Sequence, residues 1–305
     1  MKKITLGNSD LEVSTIGLGC MRMNDLTPMK AKHVINNALD LGINFFDHAD
    51  IYGDGKSEEV FAEALKLSPA NREEMVLQTK CGIRKGYFDF SKEHILKSAD
   101  DSLQRLDTDF IDILLLHRPD TLVEPEEVAE AFTRLKENGK VRRFGVSNQN
   151  TMQIELLKKY LKQDLIVNQL QFSIMHTGMI DAGLNVNMKN NSATVRDSSI
   201  LEYSRLNNMT IQAWSPFQYG MIEGAFIGND EFPEINAKLQ ELASKKGVTD
   251  SAIAIAWILR HPANIQPIVG TMNPERLTGI AEASDIDLTR EEWYEIYRAA
   301  GNELP

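Results

Sequence analysis

MVLQTKCGIRKGYFDFSKEHILKSADDSLQRLDTDFIDILLLH, residues 75–117, holds two apolar runs with one amphipathic segment between them. The runs at 75–80 and 111–117 have the length of strands and end in an ionisable residue, Lys80 and His117. Between them Ser91 can cap a helix whose Ile95, Leu96, Ala99, Leu103 and Leu106 follow the 3.6-residue period. Strands that alternate with helices imply a parallel sheet. The same unit recurs outward in both directions. Aliphatic or β-branched runs fall at 15–19, 44–47, 75–80, 111–117, 141–146, 166–169, 210–213 and 266–270. Most of the spacings between them leave room for one helix and two short loops. Pro125 suits a first helical position, with Val128, Ala131, Phe132 and Leu135 behind it and Asn138-Gly139 as the stop. Thr289 and Glu292 have the form of a capping box.

Eight such units predict a closed (β/α)8 TIM barrel, α/β in class, filling residues 1–305 as one domain. A barrel of about 250 residues leaves some extra chain. Residues 2–13 alternate around Gly7-Asn8-Ser9 like a hairpin placed before the first barrel strand. Residues 172–196 and 217–233 read as insertions after the sixth and seventh strands, and the last dozen residues read as a tail. Insertions that follow strands hang over the C-terminal mouth, where barrels of this kind keep their active sites.

Composition narrows the function. With 42% hydrophobic and 25% charged residues, the chain has the balance of a globular protein and not of a disordered or fibrous one. A net charge of −11 gives no general reason to bind nucleic acid or an anionic membrane. No apolar stretch approaches the ~20 residues of a membrane span, and the basic start lacks the apolar segment of a secretory signal. Cys20 and Cys81 are the only cysteines and form no C-x-x-C, which suits a reducing, cytoplasmic setting.

Strands buried on both faces should read as apolar throughout, so the polar residues that end them are informative. Asp47 ends the second run, Lys80 the third and His117 the fourth, and Tyr52 follows Asp47 by five residues. A carboxylate, an ammonium, an imidazole and a phenol therefore converge on one side of the mouth. A phenol titrates near about 10, and an adjacent ammonium stabilises its anion; lowering it by two to three units takes roughly 3–4 kcal/mol. Asp47 can pair with Lys80, and His117 can donate a hydrogen bond to the oxygen being protonated. Such a set protonates the alkoxide that forms when a carbonyl is reduced. None of the four supplies a hydride, so a cofactor must.

Residues 42–53 (GINFFDHADIYG), 78–80 (QTK), 115–120 (LLHRPD) and 139–148 (GKVRRFGVSN) resemble the signatures of the aldo-keto reductases. The resemblance continues through Asn168-Gln169, Trp214-Ser215-Pro216 and residues 267–271 to Arg276, nearly the whole chain. It implies a monomeric or weakly associating barrel that reduces a small-molecule aldehyde or ketone with NADPH. Tyr52 would be the general acid, Lys80 and Asp47 its tuning pair, and His117 the residue that orients the carbonyl. Ser147, Asn148 and Gln169 would hold the nicotinamide carboxamide, Trp214 would stack on its ring, and Ser215 would meet the phosphate or ribose region. Gly19, Cys20 and Met21, after the first strand, complete the expected cofactor contacts, and Met21, Arg22 and Tyr87 are candidate walls of the substrate pocket.

The eighth run carries its own argument. Asn273 can cap a helix with Pro274 at its first position, which presents free N–H groups and a positive dipole end. Arg276 in that turn adds a guanidinium fork suited to phosphate. NADPH is therefore expected, with its 2′-phosphate on Arg276 and Thr271 and with Gly270 among the cofactor contacts. Gly270 stands where many relatives place a Lys, and Ile280 where many place an Asn, which leaves NADH use open. An alternative reading is a redox-sensing barrel that binds NADP(H) and turns over little. A metal site at Asp47-His48-Ala49-Asp50 is disfavoured because Lys80 would set a cation beside the metal; His48 reads as an ordinary half-buried residue.

Overall fold

The computed structural model describes residues 1–66, 72–221 and 223–305. Strands β1 (Lys3–Thr5) and β2 (Glu12–Ser14) pair antiparallel as the expected hairpin. The chain continues through β3 (Gly17–Gly19), β4 (Phe45–Asp47) and β5 (Val76–Cys81). A small hairpin of β6 (Ile83–Arg84) and β7 (Tyr87–Phe88) follows, which the sequence pattern did not signal. Then come β8 (Ile111–Leu116), β9 (Val141–Ser147), β10 (Leu165–Gln171), β11 (Thr210–Trp214) and β12 (Gln266–Val269). Strands β3, β4, β5, β8, β9, β10, β11 and β12 close into a barrel with every neighbour parallel. Each is one of the eight runs expected from the sequence.

The helices around it are α1 (Pro28–Asp40), α2 (Lys56–Leu65), α3 (Lys92–Leu106), α4 (Pro125–Glu137), α5 (Thr151–Lys158), α6 (Gly178–Leu184) and α7 (Ile200–Leu206). The last four are α8 (Pro233–Lys246), α9 (Asp250–Leu259), α10 (Pro274–Ala281) and α11 (Arg290–Ala299). The caps follow the sequence. Ser91 accepts from the His94 N–H, Pro125 opens α4, and Thr289 and Glu292 make both bonds of their box.

The N-terminal hairpin closes one end of the barrel. Leu6 and Val13, both fully buried, pack against Phe45, Val76, Ile113, Leu115, Ile166, Val167 and Ile268. Phe45 and Val76 begin their strands, so this is the N-terminal end, and the opposite end is left as the mouth. Gly7 makes the turn possible: its φ is +49°, and a Cβ there would stand 2.3 Å from the Ile166 carbonyl oxygen.

The last dozen residues are only in part a tail: 294–299 are the second half of α11, and 300–305 follow without a further helix or strand. α11 runs to Ala299 and is pinned by its apolar face: the Trp257 and Trp293 rings stack at 4.7 Å, and each indole N–H donates to the other residue's carbonyl (3.1 and 3.0 Å). Aromatic burial overrides the polar look of that segment. At the mouth the Ser173 hydroxyl of the first insertion donates to Gln218 O of the second (2.7 Å), and the Gln171 amide at the end of β10 donates to Gly220 O (3.0 Å). Ile222, in the second insertion, lies outside the described residues.

Candidate active site

Side chains two apart on a strand share a face, so each inward column reads as a ladder from the plugged end to the mouth. On β5 the ladder is Val76, Gln78, Lys80; on β4 it is Phe45, Asp47; on β10 it is Val167, Gln169. The lowest rungs are apolar and join the hairpin plug. The middle rung is a layer of buried glutamines. The Gln266 amide donates to Ser14 O (2.9 Å) and the Gln212 amide to Gln266 Oε1 (2.9 Å). Gln212 Oε1 accepts from Gln78 (2.8 Å) and Gln169 (3.2 Å), and both of these also donate to Asp47 Oδ1 (2.6 and 3.1 Å). Two of the four glutamines, Gln78 and Gln169, thus aim an N–H at one carboxylate.

The upper rung brings the four expected residues together. Lys80 Nζ donates to Asp47 Oδ2 at 2.8 Å, to the His48 carbonyl at 2.7 Å and to the Tyr52 hydroxyl at 3.1 Å. The three hydrogens of the ammonium are thereby spent on three fixed acceptors. The Tyr52 and His117 rings meet edge-on, their centroids 6.1 Å apart. Asp47, Lys80 and His117 arrive from neighbouring strands β4, β5 and β8, and Tyr52 from the turn between β4 and α2.

Electrostatics correct one expectation. Burial pushes the Tyr52 phenol above its ordinary value; Lys80 pulls it back, Asp47 pushes it further up, and the outcome is a raised phenol and not a lowered one. Burial also works against the Lys80 charge, yet Asp47 and then Tyr52 outweigh it, so the ammonium is held above its usual range. Burial, then Lys80 and Arg118, drive His117 well below the usual imidazole range, so the ring is neutral at pH 7. Its Nδ1 is buried with no partner, which leaves Nε2 to face the mouth. His48 is wholly buried, not half-buried; burial and then Lys80 lower it to about 3, and its ring packs on Phe61 at 4.7 Å.

Across the mouth the Ser147 hydroxyl donates to Gln169 O (3.1 Å), Asn148 Nδ2 to Ser147 Oγ (2.7 Å) and the Trp214 indole to Asn148 Oδ1 (3.2 Å). Asn148 and Ser215 both sit at positive φ, +57° and +53°. Beyond them Asn273 caps α10 by accepting from Arg276 N (2.9 Å), and Thr271 Oγ1 accepts from Asn273 N (3.2 Å). Arg276 enters no ion pair among the described residues. Gly19 pairs with Asp47 across the β3–β4 ladder, and Met21 is exposed. Cys20 is wholly buried, its thiol donating to Leu18 O at 3.6 Å and its backbone N–H to Asp47 O at 2.8 Å. Among the described residues no three His, Cys, Asp or Glu side chains gather as a metal site.

The sequence model of the Aldo/keto reductase family spans residues 15–300. The chain is an aldo-keto reductase. It is 37% identical, over the full length of both chains, to the "Uncharacterized oxidoreductase YcsN" of Bacillus subtilis. It is 35% identical to the "6-dehydroglucose reductase" of Agrobacterium fabrum, with 98% of each chain covered. Its fold matches an aldo/keto reductase from Klebsiella pneumoniae, solved with NADP and acetate, at a TM-score of 0.77 and 24% identity, over 97% of this chain and 94% of that one. As a member of this family it is an NAD(P)H-dependent oxidoreductase.

Two features of this aldo-keto reductase are not apparent from its sequence. One is the glutamine layer, whose members read as isolated polar residues inside strands. The other is Arg118, next to His117. It is half-buried, its guanidinium lies 5.6 Å from the Trp214 ring, and it has no acidic partner among the described residues.

Proposed function

We propose that this reductase converts an aldehyde or ketone to an alcohol with NADPH, and that Tyr52 donates the proton. The observation that carries the reading is the Tyr52 hydroxyl, 3.1 Å from a buried ammonium that is itself locked to Asp47 at 2.8 Å. The rim fits the dinucleotide. Gln169 Oε1 has no protein partner among the described residues and can accept from a carboxamide N–H. Gly270 leaves the space beside α10 without a side chain, and the capped helix end and the unpaired Arg276 suit a phosphate. Ser147, Asn148, Gln169 and Trp214 would hold the nicotinamide end, and Ser215, Gly270, Thr271 and Arg276 the phosphate end, with Gly19, Cys20 and Met21 lending backbone or edge contacts.

When bound, the reduced nicotinamide supplies the hydride. The chain does the rest. Neutral His117 offers an N–H to the substrate oxygen and aligns it beside the Tyr52 hydroxyl. As negative charge builds on that oxygen, Tyr52 releases its proton to it, and the phenolate left behind is stabilised by Lys80. A raised phenol suits this role, because Tyr52 stays protonated across the physiological range and a phenol is still a far stronger acid than an alcohol. A monomer or weak oligomer would serve this chemistry, and the NADPH pool and two unpaired buried cysteines fit a cytoplasmic setting.

Tyr52→Phe tests the reading. General-acid catalysis is worth about 100- to 10,000-fold, so kcat should fall by that much while the NADPH dissociation constant, read by nicotinamide fluorescence, stays put. Activity within tenfold of the parent removes Tyr52 from the mechanism. Tight NADPH binding with no turnover of any carbonyl by the parent protein would favour the sensing barrel.

A further inference from the structure

We infer that Arg118 forms an anion subsite for the substrate, so that the carbonyl compounds this enzyme prefers carry a carboxylate or phosphate. The inference rests on the reductase reading above and extends it to substrate class.

Arg118 directly follows His117, and its guanidinium carbon stands 5.6 Å from the Trp214 ring across the mouth. Burial disfavours the charge of Arg118, and only a Tyr52 phenolate would favour it in return. The nearest candidate counter-ion along the chain is Asp120. That carboxylate is already taken, accepting from Phe90 N and Leu122 N, each at 2.9 Å. Asp47 is taken by Lys80, and Glu58 by Thr79 (2.6 Å) and Arg105 (2.7 Å). A half-buried guanidinium without a counter-ion is unusual in a chain of net charge −11 and with as many close ion pairs as this one has. Its five N–H donors are built for a planar oxyanion.

On the proposed cofactor placement, the 2′-phosphate is not that anion. Arg118 follows β8, whereas the phosphate-binding rim follows β12, and these strands are diametrically opposed in the barrel order. Arg22, which donates to Gly270 O at 3.2 Å, and Arg276 stand on that far side. What remains within reach of Arg118 is the space above Tyr52 and His117, where the substrate carbonyl sits. A carbonyl held there with an anionic group a few bonds away would have that group gripped by the guanidinium, and the charge-assisted pair would fix which end enters first.

The experiment compares matched substrates with the full-length enzyme and NADPH: 4-oxobutanoate against its methyl ester, and glyceraldehyde 3-phosphate against glyceraldehyde. The parent enzyme should favour the anionic member of at least one pair by tenfold or more in kcat/KM; which pair shows it distinguishes carboxylate from phosphate. Arg118→Gln should cut that ratio by about 10- to 100-fold, mainly through KM, and Arg118→Lys should recover part of it. A parent enzyme without anion preference, or an Arg118→Gln ratio equal to the parent's, overturns the subsite and leaves the reductase intact. If no carbonyl of either kind is reduced, the reductase reading itself has failed. The subsite is then judged by binding: succinate should bind at least tenfold more tightly than butanoate, with that margin lost in Arg118→Gln, and equal margins in both proteins would reject it.

Discussion

Removing the ammonium of Lys80 should damage the fold as well as the chemistry, and a second substitution should repair only the fold. The side chains of Lys80 and Asp47 are 0% and 3% exposed. Lys80→Met strips Asp47 of its ion pair and leaves a buried carboxylate facing only the amides of Gln78 and Gln169; it also orphans the His48 carbonyl. Deleting one member of a buried pair destabilises by about 3–5 kcal/mol. Asp47→Asn leaves the ammonium with two neutral acceptors and should lose a similar amount. The double variant buries two neutral groups of similar shape, so it should sit within about 2 kcal/mol of the parent. Urea unfolding followed by circular dichroism measures all four proteins, with the m value checked for constancy. The summed losses of the single variants should exceed the loss of the double by more than about 3 kcal/mol. Carbonyl reduction should stay low in all three variants, because each disturbs the acid. Single variants that each lose under about 1 kcal/mol, or a double whose loss equals their sum, would refute the buried, mutually dependent pair.

Gln212→Leu should destabilise the barrel by about 2–6 kcal/mol in the same assay. Three buried polar groups, on Gln78, Gln169 and Gln266, lose a partner at about 1–3 kcal/mol each, partly offset by burying leucine; a loss below about 1 kcal/mol would show that the layer carries no weight. Arg276→Ala should weaken NADPH binding tenfold or more and change NADH binding less than threefold, both by fluorescence titration. Equal losses for the two coenzymes would take Arg276 off the 2′-phosphate.

The barrel was legible because its strands are largely buried on both faces and most of its helices show one apolar stripe, α9 being buried almost all round, so period and punctuation agree over most of the chain. Three of the four proposed catalytic residues, Asp47, Lys80 and His117, stood out for a related reason: an ionisable residue that ends a buried strand is conspicuous, and Tyr52 was singled out by its place after Asp47. What the sequence concealed depends on packing between distant segments. The strands of the β6–β7 hairpin are two residues each, too short for any periodicity to register. Gln78 and Gln212 are 134 positions apart, and nothing local says that one amide will face the other. Thr289 and Glu292 marked the start of α11, but its second half read as part of a tail because its anchor, the stacked Trp257 and Trp293, is a tertiary contact. The raised phenol of Tyr52 also reflects packing: the pull of Lys80 could be inferred from residue types, but the larger opposing effect of burial could not.

The central claim is that the Tyr52 hydroxyl delivers the proton. Its phenol lies above the ordinary value near about 10, so kcat/KM for carbonyl reduction should hold level through neutral pH and be lost only as pH rises past that raised value and the proton is removed. Replacing Tyr52 with a ring-fluorinated tyrosine, a more acidic phenol of nearly the same size, should move that alkaline limb to lower pH and leave the neutral plateau in place. An alkaline limb that does not move when the phenol is changed would mean that the proton comes from elsewhere.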